Sequence, residues 1–232
     1  MINLAVIPAR SGSKGLKDKN IKELLNKPLL AYTVEAALSS GIFDTVHVST
    51  DSKVYADIAG KYGADVPFLR SEEMSTDVAD SWGVVKEVIK MYSETGKTFD
   101  MVTLLQPTSP LRTDKDIKKA YEIFTQKKAN AVISVCEADH PPMWFHPLTE
   151  DGSMKAFFEE EGGGRRQDYE TFYRMNGAIY MVDLDHLLNS GDRLFKDKVF
   201  AHIMDRRSSV DIDDKFDFDM AEAVMKGMKK DG

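Results

Sequence analysis

From residue 3 to residue 138, apolar runs of strand length alternate with stretches of helical period. The strand-length runs are NLAVIP, DTVHVST, DMVTLLQ and AVISVCEA; between them lie PLLAYTVEAALSS, KVYADIAGKYG, DVADSWGVVKEVIKMYSE and DKDIKKAYEIFTQKK. Such alternation predicts βαβ units and a mainly parallel sheet with flanking helices, an α/β fold. In the first helix Leu30, Val34, Ala37 and Leu38 share one face, and Gly41 supplies a C-terminal stop. Thr113 with Asp116 has capping-box spacing ahead of a helix ending near Lys127.

The rhythm breaks from about His140 to Tyr173, where HPPMWFHPL, an acidic run from Glu159 to Glu161 and the glycines 162 to 164 replace it. Trp144, Phe145, Phe157 and Phe158 in this stretch predict an arm that is buried, either against a second subunit or as a lid on the chain's own core. Two further strands follow in NGAIYMVD and VFAHIM, then SSVDIDD and a last helix, FDFDMAEAVMKGMKK. The expected organisation is a single domain over 1–232 with an arm inserted at about 140–175.

Composition narrows the class. The 232 residues are 42% hydrophobic and 30% charged, no window has the apolar length of a membrane span, and MINLAVIPAR lacks the basic start of a signal peptide. A cytoplasmic protein without membrane or nucleic-acid partners is expected. Cys136, the single cysteine, lies in a strand-like run and reads as a core thiol, and the five histidines have no metal-ligand spacing.

The net charge is -7, yet Ile7 to Asn20 (IPARSGSKGLKDKN) gathers Arg10, Lys14, Lys17 and Lys19 against one acid, Asp18. A local anion site, phosphate first, explains that concentration, with Gly12 and Gly15 letting backbone amides approach a ligand. A solvated basic loop is the alternative; the spacing matches neither a Walker loop nor a GxGxxG fingerprint. In Asp211-Ile212-Asp213, residues two apart on an extended chain project to one side, so both carboxylates can meet one hard cation while Ile212 enters the core. Helix capping by Asp213 or Asp214 is the competing role. LLQPTSPLR places Gln106, Thr108, Ser109 and Arg112 just beyond a strand, where open α/β sheets bind ligands. There Arg112 either holds a carboxylate or bonds loop carbonyls.

Together, IPARSGSKGLKDKN, LLQPTSPLR, YRMNGAIY and VDIDDKFDFDMAE resemble, in order, the motifs of the acylneuraminate cytidylyltransferase family, the CMP-sialic acid synthetases and their nonulosonic acid relatives. The resemblance implies a Rossmann-like α/β nucleotidyltransferase fold with a small dimerisation arm, acting as a homodimer on CTP and a 2-keto sugar acid. It places Arg10, Ser13, Lys14, Gly15, Lys19 and Asn20 on the phosphates and ribose, and Arg70 and Ser81 around the cytosine. Gln106, Ser109, Arg112, Arg166 and Asn176 fall to the sugar acid, while Asp211 and Asp213 hold Mg2+. Arg10, Lys19, Asp211 and Asp213 form the implied catalytic set.

In that reaction the anomeric hydroxyl attacks the α-phosphorus in line and pyrophosphate departs, so cations must offset charge on both sides. The sequence leaves the base open between an aspartate and water. One departure bears on the sugar: HPPMWFHPL has Met143 and Trp144 where sialic acid enzymes of the family can carry a lysine after the proline. N-acetylneuraminate stays first choice, with legionaminic, pseudaminic and 3-deoxy-manno-octulosonic acids as alternatives. A nucleotide-binding relative without turnover is the competing class.

Overall fold

The computed structural model describes residues 1–13, 15–76, 78–159 and 170–231. Lys14, Arg166 and the glycine run 162–164 therefore lie outside the described residues. The apolar runs form β1 (Asn3–Pro8), β4 (Thr45–Ser49), β5 (Met101–Leu104), β6 (Ala131–Glu137), β7 (Tyr173–Asp183) and β8 (Val199–Ile203). They make one six-stranded sheet in the order β4-β1-β5-β7-β6-β8. β1 is parallel to β4 and β5, and β6 to β8; β7 alone runs antiparallel to both neighbours. The expected mainly parallel α/β sheet is therefore what forms. A two-residue pairing, β2 (Glu23–Leu24) with β3 (Lys27–Pro28), stands apart from it.

The helices are α1 (Leu29–Ser40), α2 (Lys53–Lys61), α3 (Ser81–Glu94), α4 (Asp114–Lys127), α5 (Ala156–Glu159), α6 (Leu184–Asn189) and α7 (Lys215–Asp231). None among the described residues is long and apolar enough to cross a membrane. α1 buries Leu30, Val34 and Ala37 and stops at Gly41 in the left-handed region, as its pattern predicts; Leu38 is instead 44% exposed. α4 begins with the expected capping box. The Thr113 amide donates to Asp116 Oδ2 (2.9 Å), and the Asp116 amide donates to Thr113 Oγ1 (3.3 Å).

Alternation along the strands divides the core between the two faces of the sheet. Ile7, Leu30, Met101, Ile117 and Ile179 pack on one side; Leu4, Val85, Val102 and Val182 pack on the other. Cys136 is fully buried, as its strand predicts. A third cluster joins Leu24, Leu29, Leu111, Ile212 and Phe218, seating α7 beside the carboxyl ends of β1 and β5.

One irregularity interrupts the pairing of β6 with β7. Their register shifts between Ile133 and Val135, and Gly177 takes a φ of +76°. Ser134 Oγ donates to Asn176 Oδ1 (2.6 Å) and accepts from the Ile179 amide (2.8 Å), while Asn176 Nδ2 donates to Ser209 Oγ (2.8 Å). Asn176 thus ties the bulge to the turn that leads into Asp211. Residues 138–159 and 170–172 lie outside the sheet, and their ends meet where the Ala138 amide donates to the Phe172 carbonyl (2.8 Å). On it Trp144, Phe145 and Phe158 are exposed, whereas Phe157 is half-buried against His146, 5.0 Å between ring centroids. Replacing Asn176 by Ala should lower the unfolding free energy by about 1–3 kcal/mol, because two buried hydroxyls each lose one of their partners. Thermal unfolding checks this; an unchanged melting temperature would contradict the role in the bulge.

Candidate active site

A cavity of about 540 Å³ opens beyond the carboxyl ends of β1 and β5. Three chain segments that are distant in sequence form its walls. Pro8 ends β1, and Arg10, Ser13, Gly15, Lys19 and Asn20 come from the loop after it; Gln106, Pro107 and Thr108 come from the loop after β5; and Asp211 and Asp213 come from the approach to α7. Arg70, Met74, Thr76, Ala79, Ser81 and Val84 close the far end. Arg10 and Lys19 of the basic loop therefore face the cavity. Lys17 is exposed and lies outside this lining.

Loop and carboxylates are in contact. Lys19 Nζ donates to the Ile212 carbonyl (2.6 Å) and lies 3.6 Å from Asp213 Oδ1. A Cβ on Gly15 would sit 2.6 Å from the Asp213 carbonyl oxygen, so the close approach requires glycine. Asn20 is buried and its Nδ2 donates to the Arg10 carbonyl (3.1 Å), fixing the turn from inside.

The alternation expected for Asp211-Ile212-Asp213 is present. Ile212 is fully buried while both carboxylates reach the cavity. Capping is done by Asp214, whose Oδ1 accepts from the amides of Phe216 (2.7 Å) and Asp217 (3.1 Å). Asp213 is left 85% exposed along its side chain. Burial pushes the Asp211 carboxyl up, opposed by a hydrogen bond from Thr108; Asp213 pushes it further up and Lys19 draws it back. Asp211 Oδ1 is buried with no hydrogen-bond partner among the described residues.

At the far end Arg70 is buried, its Nη2 donating to the Ser49 carbonyl (2.7 Å) and its Nε to Ser49 Oγ (3.0 Å). Burial lowers it to about 10, against the pull of Asp51 and Glu87, so it remains a cation at neutral pH. Ser81 opens α3, where Asp80 caps the amides of Trp82 and Gly83 at 2.9 Å each.

Three predicted ligands do not line this cavity. Arg112 is 2% exposed, and its Nη1 donates to the carbonyls of Gln106 and Ala178, both at 3.2 Å, so it takes the loop-bonding role. Ser109 is fully buried behind Gln106, and Asn176 is spent on the bulge. Gln106 does reach the cavity, held against Gly177, where a Cβ would come within 2.8 Å of its Oε1. Tyr180 lies outside this lining, packed against the core, and burial with the charge of Asp211 raises its phenol.

A cytidylyltransferase family model matches residues 4–188. An N-acylneuraminate cytidylyltransferase of Escherichia coli O18:K1:H7 is 41% identical over 224 residues, covering 96% of this chain and 52% of that protein. A pseudaminic acid cytidylyltransferase of Campylobacter jejuni (strain 81-176) is 35% identical over 226 residues, 97% of each. The chain thus spans about half the length of the first relative and nearly all of the second. The solved structure of a CMP:2-keto-3-deoxy-manno-octonic acid synthetase complexed with CTP has a TM-score of 0.74 at 14% identity, covering 98% of this chain and 100% of that one, a likeness of fold. A family match from residue 4 to residue 188 and 35% identity sustained over 97% of a relative go beyond shared architecture: the chain belongs to the cytidylyltransferase family.

Proposed function

We propose that the protein activates a nonulosonic, sialic-type sugar acid with CTP, forming the CMP-sugar and pyrophosphate. One observation carries the reading: in a chain of this family, the cationic loop after β1 and the Asp211–Asp213 pair line a single cavity, with Lys19 of that loop bonded to the Ile212 carbonyl and 3.6 Å from Asp213. In this reading Arg10 and Lys19 lie along the triphosphate, with Ser13, Gly15 and Asn20 shaping the turn. Arg70 and Ser81 face the cytosine, and Gln106 presents its amide to the sugar acid. The anomeric hydroxyl gives its proton to an aspartate or to water as its oxygen bonds to the α-phosphorus and the bond to the β-phosphate breaks in line, and Lys19 meets the charge growing on the departing pyrophosphate. Lys14 and Arg166 remain expectations from the family resemblance.

Magnesium suits the donors. Asp211 Oδ1 lacks a partner among the described residues and Asp213 is open to solvent. Mg2+ commonly takes one or two carboxylates and fills its shell with water and nucleotide phosphates, neutralising phosphate charge when bound.

N-acetylneuraminate is the first choice of sugar, supported by the 41% identity to the E. coli relative. Pseudaminic and legionaminic acids compete, because Met143 and Trp144 offer no cation after the proline pair and the C. jejuni relative is named for pseudaminic acid. A cytoplasmic homodimer is the setting that fits. Met175, Val135 and Ile203 lie in register across β7, β6 and β8, and Met175 and Ile203 are 65% and 57% exposed beside an arm that carries exposed Phe145 and Phe158. A monomer rarely leaves so much apolar surface open.

Pyrophosphate release should require CTP, a nonulosonic acid and Mg2+ together; no turnover across a panel of such acids with CTP, ATP, GTP and UTP would refute the reading. Asp213→Ala should cut kcat by roughly 10²–10³-fold, with melting shifted little because the side chain is exposed, and Lys19→Ala should raise the CTP requirement. Near-normal rates in both would remove the metal and phosphate assignments. Light scattering at micromolar concentration should give twice the 26.1 kDa chain mass; a monomer would return residues 138–172 to a lid on their own subunit.

A further inference from the structure

The phosphate-facing loop has a second attachment, made by atoms that do not line the cavity. At the carboxyl end of β4 the Asp51 carboxylate accepts from Ser11 twice: Oδ1 from the amide (2.7 Å) and Oδ2 from the hydroxyl (2.6 Å). One turn into α2, the buried Tyr55 donates its hydroxyl to Asp18 Oδ1 (3.1 Å), where Asp18 holds a φ of +51° immediately before Lys19. The two ends of the loop are therefore pinned to one corner, 51–55, and the loop between them carries Gly12 at φ +71° and Gly15.

The same corner holds the base end. The Arg70 amide donates to the Thr50 carbonyl (2.8 Å), its guanidinium is fixed on Ser49, and Asp51 is among the charges that keep it a cation. An aspartate this near a triphosphate site works against anion binding by charge alone. Its presence is accounted for if its two charge-assisted hydrogen bonds matter more than its repulsion. A glycine-broken loop left free must lose backbone entropy when it closes on a ligand, and pinning it beforehand removes part of that cost.

We propose that Asp51, assisted by Tyr55, is a positioning residue that preorganises the phosphate loop and sets its distance from Arg70, so that it governs nucleotide affinity without touching the nucleotide. This rests on the reading of the cavity as a CTP site. The test is CTP affinity by titration calorimetry, with KM for CTP and for the sugar acid and the melting temperature, on Asp51→Ala, Asp51→Asn and Tyr55→Phe. Asp51→Ala should weaken CTP about tenfold or more while the sugar-acid KM moves less than about threefold. Asp51→Asn can still accept from the Ser11 amide and donate to its hydroxyl, so it should recover to within about threefold of the parent. Tyr55→Phe should lose roughly three- to fivefold.

A merely structural residue would lower the melting temperature and leave CTP affinity of the folded fraction unchanged, which overturns the proposal. So does an Asn variant as weak as Ala, which would put the effect in the charge facing Arg70. If Asp51→Ala does not fold, the Asn and Phe variants decide, and a Phe variant with parental affinity overturns the anchoring. An unsubstituted protein that binds no CTP would remove this inference and the reading beneath it; CTP binding retained in Asp51→Ala removes this inference alone.

Discussion

The backbone of Ile212 joins what the site needs. Its amide donates to the Thr108 carbonyl (2.9 Å), its carbonyl accepts from Lys19 Nζ, and its side chain is fully buried with Leu24, Leu29, Leu111 and Phe218. One residue thereby fixes the loop after β5, the loop after β1 and the start of α7 relative to one another. The hydrophobic term makes the arrangement stable: burying a side chain of this size is worth about 1.5–3 kcal/mol, and its burial points Asp211 and Asp213 the other way. Carboxylate placement is thus a by-product of core packing. A cavity-lining carboxylate on a surface loop gains its precision from the apolar neighbour in sequence.

Charge in the cavity is balanced locally, against the sign of the whole chain. Two carboxylates near each other repel, and Asp211 shows it, its carboxyl raised by burial first and by Asp213 as well. Lys19 partly relieves that, 13% exposed and close enough to Asp213 to compensate. The compensation is incomplete, since Asp211 Oδ1 stays buried without a donor among the described residues. Leaving a buried carboxylate oxygen unpaired costs stability, and such a cost is expected where a cation completes the arrangement. Arg70 at the opposite end is set the other way, a buried cation balanced by Asp51 and Glu87. The cavity is therefore polarised from the Asp211–Asp213 end to the Arg70 end.

Much of this was legible in the chain. Strand and helix alternation, the stop at Gly41, the Thr113 cap and the inward turn of Ile212 come from local rules of periodicity and capping, and these act over a few residues. The antiparallel β7 was not legible, because its apolar pattern is the same in either direction and orientation depends on where the arm delivers the chain. Nor was the choice between Asp213 and Asp214 as helix cap, which turned on one residue of register. Asp51 lies in VSTDS at a strand end, the place where such sheets bind ligands, yet its bond to Ser11 spans 40 residues and no local pattern announces it.

Arg112 and Asn176 show why motif membership and substrate contact are different properties. Both lie in segments that carry the family resemblance, and both are buried under the site. Arg112 clamps the carbonyl of Gln106 to that of Ala178, joining the loop after β5 to the bulge of β7, and burial lowers it only to about 10, so the clamp is charged at neutral pH. Its Nε and Nη2 find no partner among the described residues, an expense that a neutral residue would avoid. In return its charged Nη1 holds two carbonyls from inside the core, at the point where Gly177 brings the backbone against Gln106. The polar residues of such a motif divide into those that face the ligand and those that keep the facing ones in place, and burial separates the two.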